Sequence, residues 1–149
     1  MRAVLQRVSH AQVSVDGRRV AEIGLGYVIL LGIEPTDKPL EADRLAEKCA
    51  ELRLFPDDQG KTNRSIRDVG GQALVISQFT LLADTRRGRR PSFAGAASPQ
   101  EARPIYERLA ERLRGLGVPA LTGEFGAHML LELQNDGPFT LILEERSGT

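Results

Sequence analysis

The chain has 149 residues, of which 41% are hydrophobic and 27% charged, a length and balance that suit one soluble globular domain. Its 20 basic and 20 acidic side chains cancel, which excludes a global field for nucleic acid and leaves any polyanion to a local basic patch. Cys49 is the only cysteine, which excludes an intrachain disulfide; with no signal-peptide pattern at M-R-A-V-L-Q-R-V and no apolar run longer than Tyr27 to Leu31, a cytoplasmic protein without a membrane partner is expected.

Residues 2–15 alternate loosely, with Val4, Val8, Ala11, Val13 and Val15 among polar neighbours, and predict one long or bulged strand. Asp16-Gly17 between V-S-V and R-R-V is a strong hairpin signal, so a second strand should run to Ile23. After G-L-G, the run Y-V-I-L-L-G-I reads as a central strand buried on both faces. Residues 39–53 show helical spacing through Leu45, Ala46, Cys49 and Ala50, opened by Pro39. F-P-D-D-Q-G-K-T-N reads as a loop.

Leu74 to Asp84, L-V-I-S-Q-F-T-L-L-A-D, reads as a buried strand that Ser77, Gln78 and Thr80 interrupt. A buried polar group without a partner costs about 1–3 kcal/mol. These three side chains are therefore either satisfied inside the fold or face a site that something else enters. Ser98-Pro99-Gln100-Glu101 has capping-box spacing and opens a second helix, whose apolar face runs from Ala102 to Leu116 and whose end falls at Gly115 or Gly117. Pro104 should bend its first turns. The last third reads as strands A-L-T-G-E-F, M-L-L-E-L-Q and F-T-L-I-L-E-E, the last two joined by a hairpin turn at N-D-G-P. The predicted class is α+β, a single domain over residues 1–145 with mixed or antiparallel sheets and two main helices, followed by a short polar tail, 146–149.

Ser77 has no flanking glycine and so no nucleophile elbow. The two histidines, His10 and His128, are far apart in sequence, and a conventional triad is not indicated. Cys49 lies on an apolar helix face and reads as a structural thiol. With these two histidines and one cysteine there is no recognisable metal-ligand set, and G-L-G-Y-V-I opens a strand, not the helix of a dinucleotide fingerprint; neither metal nor cofactor is expected. Arg86, Arg87, Arg89 and Arg90 are concentrated in one loop. They are either a solvated surface or a bidentate phosphate clamp, with the P-S-F-A-G-A-A that follows forming part of the same wall. At Gly137-Pro138 both peptide isomers are open, with trans the default.

Taken in order, L-Q-R-V, G-K-T-N-R-S-I, S-Q-F-T-L, A-D-T-R-R-G-R-R-P-S-F, F-G-A-H-M and N-D-G-P-F-T resemble the D-aminoacyl-tRNA deacylases, also called D-tyrosyl-tRNA deacylases, over nearly the whole chain. The resemblance implies a small homodimer whose sheets pack into a barrel-like unit, with the active site at the interface. It implies that Ser77, Gln78, Phe79 and Thr80 form the pocket of one subunit. Gly137 and Pro138, joined by a cis peptide, would reach into the pocket of the other, with Arg7 holding their loop. Arg86, Arg87, Arg89 and Arg90 would hold tRNA. His128 stands where the family often carries Asp.

The implied reaction is hydrolysis of the ester of D-aminoacyl-tRNA, a proofreading step in translation. Glycyl-tRNA should also be cleaved, because a wall that excludes an L-side chain by steric clash cannot exclude glycine. With no tuned acid or base evident beside Thr80, positioning, backbone N–H groups and the terminal ribose hydroxyl are expected to carry the chemistry. The competing expectations are a non-catalytic RNA-binding module built on Arg86–Arg90 and a threonine-nucleophile esterase for small esters.

Overall fold

The computed structural model describes residues 1–148; the last residue of the expected tail, Thr149, lies outside the described residues. Residues 2–15 form one strand, β1 (Arg2–Val15). Asp16 and Gly17 adopt φ of 51° and 76°. Two successive left-handed residues are what a two-residue hairpin between twisted strands requires. β2 (Arg18–Ile23) returns antiparallel along the second half of β1, with Ala11 opposite Ile23. β3 (Gly26–Gly32) pairs antiparallel with the first half of β1 and parallel with β6 (Gln72–Ser77). β7 (Ala120–Thr122) extends the parallel part.

The order is β2-β1-β3-β6-β7, and β8 (Leu130–Glu144) lies along β1. The mixed sheet curls until β2 touches β6 and β7, giving a nearly closed barrel. Val8, Ala11, Val13, Ile23, Val28, Leu74 and Ile76 fill its interior. The opposite face is covered by α1 (Pro39–Glu51) and α2 (Pro99–Gly115). There Tyr27, Ile29 and Val75 of the sheet pack with Leu45 and Cys49 of α1 and with Leu109 and Leu113 of α2. Both buried tyrosines satisfy their hydroxyls: Tyr27 donates to the Cys49 carbonyl and Tyr106 to the Val75 carbonyl, each at 2.8 Å. Salt bridges Arg108–Asp43 and Arg112–Glu47 join the two helices; hydrogen bonding to Arg108 holds the Asp43 carboxyl below its usual range.

The capping box at α2 forms as predicted, with Ser98 Oγ accepting from the Glu101 amide and the Glu101 carboxylate accepting from the Ser98 amide. Such a cap is worth about 1 kcal/mol. The helix runs through Pro104, which lies on its exposed side, where water can reach the carbonyl that the missing N–H leaves free. α1 ends at Glu51, short of the expected residue 53, because Leu52 turns extended and Arg53 opens β4 (Arg53–Pro56). β4 pairs with β5 (Thr62–Ser65) in a separate small hairpin. The predicted loop is therefore confined to the tip, where the Asp57 carboxylate accepts from the amides of Gln59 and Lys61. Among the described residues no helix is long and apolar enough to cross a membrane.

Two expectations are corrected. Leu74 to Asp84 is not one strand: β6 stops at Ser77, and Phe79–Leu82 coil into a single 3-10 turn. N-D-G-P is not a hairpin turn either. The segments on both sides of it pair with β1, not with each other, so β8 is one long strand with an excursion in it. Gln6 faces Thr140 and Val8 faces Asn135, which leaves residues 136–139 outside the ladder.

Cys49 is fully buried, and burial pushes its thiol up to about 12. Ellman's reagent at pH 8 should leave the native protein unlabelled for hours and label one thiol per chain within minutes in denaturant. Fast labelling of the native protein would contradict this packing of α1.

Candidate active site

The site begins where β6 ends. Ser77 pairs with Leu31, and the Gln78 amide still donates to the Leu31 carbonyl at 2.8 Å. Beyond Gln78 the chain leaves the ladder and coils. A Cβ on Gly32, at the end of β3, would lie 3.1 Å from the Gln78 carbonyl oxygen, 3.1 Å from Leu81 Cβ and 3.3 Å from Leu82 Cγ. The 3-10 turn thus sits directly on the β3 backbone. Arg2 fastens it from the side by donating from Nη1 to the Leu81 carbonyl at 3.0 Å.

Beside this turn lies a cleft of about 390 Å³, lined by Ser77, Gln78 and Phe79, by Leu31 and Ile33 of the β3 end, and by Phe93, Ala96, Ala97, Pro99, Ala102, Phe125 and Gly126. Phe79 and Phe93 meet edge to face at 5.1 Å. No lining residue is ionisable near neutral pH. Thr80 does not line the cleft itself; its hydroxyl accepts a short hydrogen bond from the Gln78 side-chain amide. Phe79 and Thr80 open the 3-10 turn, where the first amides have no partner within the turn. His128 is exposed and does not line the cleft.

The arginine loop leaves this wall. Asp84 and Ser92 exchange backbone hydrogen bonds of 2.8 and 2.9 Å and close residues 85–91 into a loop. Arg86 folds back on Asp84 through two side-chain bonds of 2.9 and 2.7 Å, and these hold the Asp84 carboxyl below its usual range. Arg87, Arg89 and Arg90 are exposed and have no carboxylate partner among the described residues. Three of the four expected phosphate ligands are therefore free, while Arg86 shapes the loop.

Gly137 and Pro138 are elsewhere. Their peptide bond is cis, and their loop is held from two directions. Arg7 donates from Nε to the Asp136 carbonyl at 3.0 Å and from Nη1 to the Leu54 carbonyl at 2.6 Å, with its guanidinium 4.7 Å from the Phe139 ring centre. Asn135 accepts from the Phe139 amide and donates to Thr140 Oγ1, each at 2.8 Å. Arg7, Gly137 and Pro138 thus form one cluster and Ser77, Gln78, Phe79 and Thr80 another. Within one chain none of the first group lines the cleft of the second.

The wall P-S-F-A-G-A-A stands where its sequence position suggests, and its small residues leave the cleft open. Phe125, the first residue of F-G-A-H-M, joins the site although the sequence reading gave it no role there. It packs on Tyr106 with ring centres 5.6 Å apart. Among the described residues no group of His, Cys, Asp and Glu is arranged to hold a metal.

Residues 4–144 match the family model for D-Tyr-tRNA(Tyr) deacylase. The chain is 58% identical to the D-aminoacyl-tRNA deacylase of Thermomicrobium roseum over 144 residues, covering 97% of this chain and 94% of that one. It is 55% identical to the enzyme of the same name from Deinococcus radiodurans, covering 97% and 99%. Among solved structures, the c-Myc DNA unwinding element binding protein superposes with a TM-score of 0.92 at 38% identity, covering 99% of this chain and all of the other. A probable eukaryotic D-amino acid tRNA deacylase, 16% identical, shares the fold with a TM-score of 0.84 over 95% and 97% of the two chains. The chain belongs to the D-Tyr-tRNA(Tyr) deacylase family.

Proposed function

We propose that the protein hydrolyses the ester between a D-amino acid, or glycine, and the 3′-terminal ribose of tRNA, as the names of its relatives say of them. The observation that carries this is the cleft: aromatic and small walls fit a base and a ribose, and amide and hydroxyl groups border it, yet nothing in it ionises near neutral pH. Such a site can orient a reactive ester and a water but has no general base of its own. The Phe79 and Thr80 amides would stabilise the developing oxyanion, and the neighbouring ribose hydroxyl would move the proton. Thr80 without an adjacent base is a poor nucleophile, and its oxygen already accepts from Gln78.

Discrimination against L-substrates needs a wall near the α-carbon. We assign it to the Gly137–Pro138 loop of a second copy, positioned by Arg7. Two observations support a homodimer. The loop is braced yet lines no part of its own cleft, and among the described residues β8 pairs only with β1, leaving one edge open along Leu130–Glu144. Long open edges are normally covered. A wall of this kind rejects by collision with Cβ, so glycine passes.

A nucleic-acid-binding role without catalysis is the second reading, favoured by the free guanidiniums of Arg87, Arg89 and Arg90 and by what the 38% identical neighbour is called. Incubation with D-tyrosyl-, L-tyrosyl- and glycyl-tRNA separates the two. Deacylation of the D- and glycyl esters, with the L-ester at least about 100-fold slower, is expected; about 2.7 kcal/mol of steric discrimination suffices. Equal resistance of all three esters would leave only the binding role.

Thr80→Ala should retain activity within about tenfold, because it deletes a bordering hydroxyl and no nucleophile. A loss of several orders of magnitude with tRNA binding intact would make Thr80 the attacking group.

Arg7→Met strips the Asp136 and Leu54 carbonyls of their donor. Denaturant unfolding should show a loss of about 1–3 kcal/mol. D-tyrosyl-tRNA hydrolysis should fall at temperatures where the variant is still folded. Unchanged discrimination between D- and L-esters in that variant would remove Arg7 from the positioning role.

A further inference from the structure

A second concavity, a groove of about 820 Å³, runs between the β1–β2 hairpin and α2. Arg18, Arg19, Arg103 and Arg114 line it, against two carboxylates, Glu107 and Glu124. Arg18 is exposed and has no carboxylate partner among the described residues. Arg114 spends Nε on the Ala120 carbonyl at 2.8 Å, which aims its guanidinium without cancelling its charge. Arg19 is balanced by Glu22 and Arg103 by Glu107. The lining keeps an excess of positive charge in a chain whose total is zero.

The groove adjoins the cleft at Phe125, which lines both. On the groove side of that ring, the Arg103 guanidinium stands 5.9 Å from its centre. An aromatic face carrying a cation, between an apolar cleft and an arginine-lined trough, is the arrangement by which proteins hold a single strand: bases stack and guanidiniums follow the phosphates.

We infer that this groove is the exit track for the 3′ strand of tRNA, so that the phosphates just upstream of the terminal nucleoside pass over Phe125 toward Arg18 and Arg114. The inference rests on the deacylase reading for what occupies the cleft. It differs from an exit along Arg87, Arg89 and Arg90, none of which lines the groove. RNA leaving over Phe125 would follow α2 to the hairpin.

The test compares the double variant Arg18→Ala/Arg19→Ala with the triple variant Arg87→Ala/Arg89→Ala/Arg90→Ala, using D-tyrosyl-tRNA and D-tyrosyl-adenosine, which lacks the upstream phosphates. Binding of uncharged tRNA is measured against salt concentration for each protein. For the double variant, kcat/KM on the tRNA ester should fall at least tenfold more than on the adenosine ester, through KM. The log–log salt slope should become shallower by about 0.7 for each phosphate no longer neutralised. A reverse variant, Glu124→Lys, should lower KM for the tRNA ester and steepen the slope. Equal losses on both esters, or an unchanged slope in the double variant beside a shallower one in the triple variant, would overturn the exit track. If wild-type protein cleaves neither ester, the deacylase reading fails, while the salt slopes still judge the groove as an RNA surface.

Discussion

The architecture of the cleft depends on one close approach, that of the Phe79–Leu82 turn to Gly32. Parallel pairing carries β6 beside β3 as far as Ser77, and a Cβ at residue 32 would crowd the Gln78 carbonyl oxygen and Leu81 Cβ, each at 3.1 Å. With none there, the chain can coil closely onto the β3 backbone. This places Ser77 and Gln78 on the cleft wall and leaves the first amides of the turn facing away from any ladder. A polar segment that would be costly in the middle of a strand thus lies at its end, where hydrogen bonds are open to a ligand. The polar interruptions in L-V-I-S-Q-F-T-L-L-A-D are explained by where the strand stops.

The second constraint is the brace on the Gly137–Pro138 loop. Arg7 joins it to β4 through the Leu54 carbonyl, so the small β4–β5 hairpin, which contributes nothing to the cleft, supports a loop that reaches outward. A rigid outward loop and an open strand edge on the same element have a common explanation if a second copy covers both. In that arrangement each cleft is completed by a part that its own chain keeps elsewhere, and chemistry and assembly become inseparable.

Much of the fold was legible because its signals are local. Asp16-Gly17 names its turn, Ser98 and Glu101 name a helix start, and the run Tyr27 to Leu31 names a strand covered on both sides. The misreadings share a different cause. The turn after Ser77 packs against Gly32, more than forty residues away in sequence. N-D-G-P has the composition of a hairpin turn, but β1 offers pairing partners to the segments on both sides of it, and that longer alternative is the one adopted. The family motifs located Ser77–Thr80 and Gly137-Pro138. F-G-A-H-M includes Phe125, but its place on the cleft became visible only when α2 and the β7–β8 connection brought it there.

The excursion at residues 136–139 also does arithmetic for the core. Ala3 and Leu5 face the helices with their partners Leu143 and Leu141, while Ala11 and Val13 face the barrel interior with Leu133 and Leu131. The paired ribbon therefore rolls over between its two halves; the unpaired residues of β8 and a second register shift between Val8 and His10 of β1 take up the mismatch. Since side chains alternate every residue, removing or adding a single amino acid there would turn one half of the ribbon inside out. Letters in that loop can be exchanged at the expense of chemistry, but its parity is owned by the hydrophobic interior.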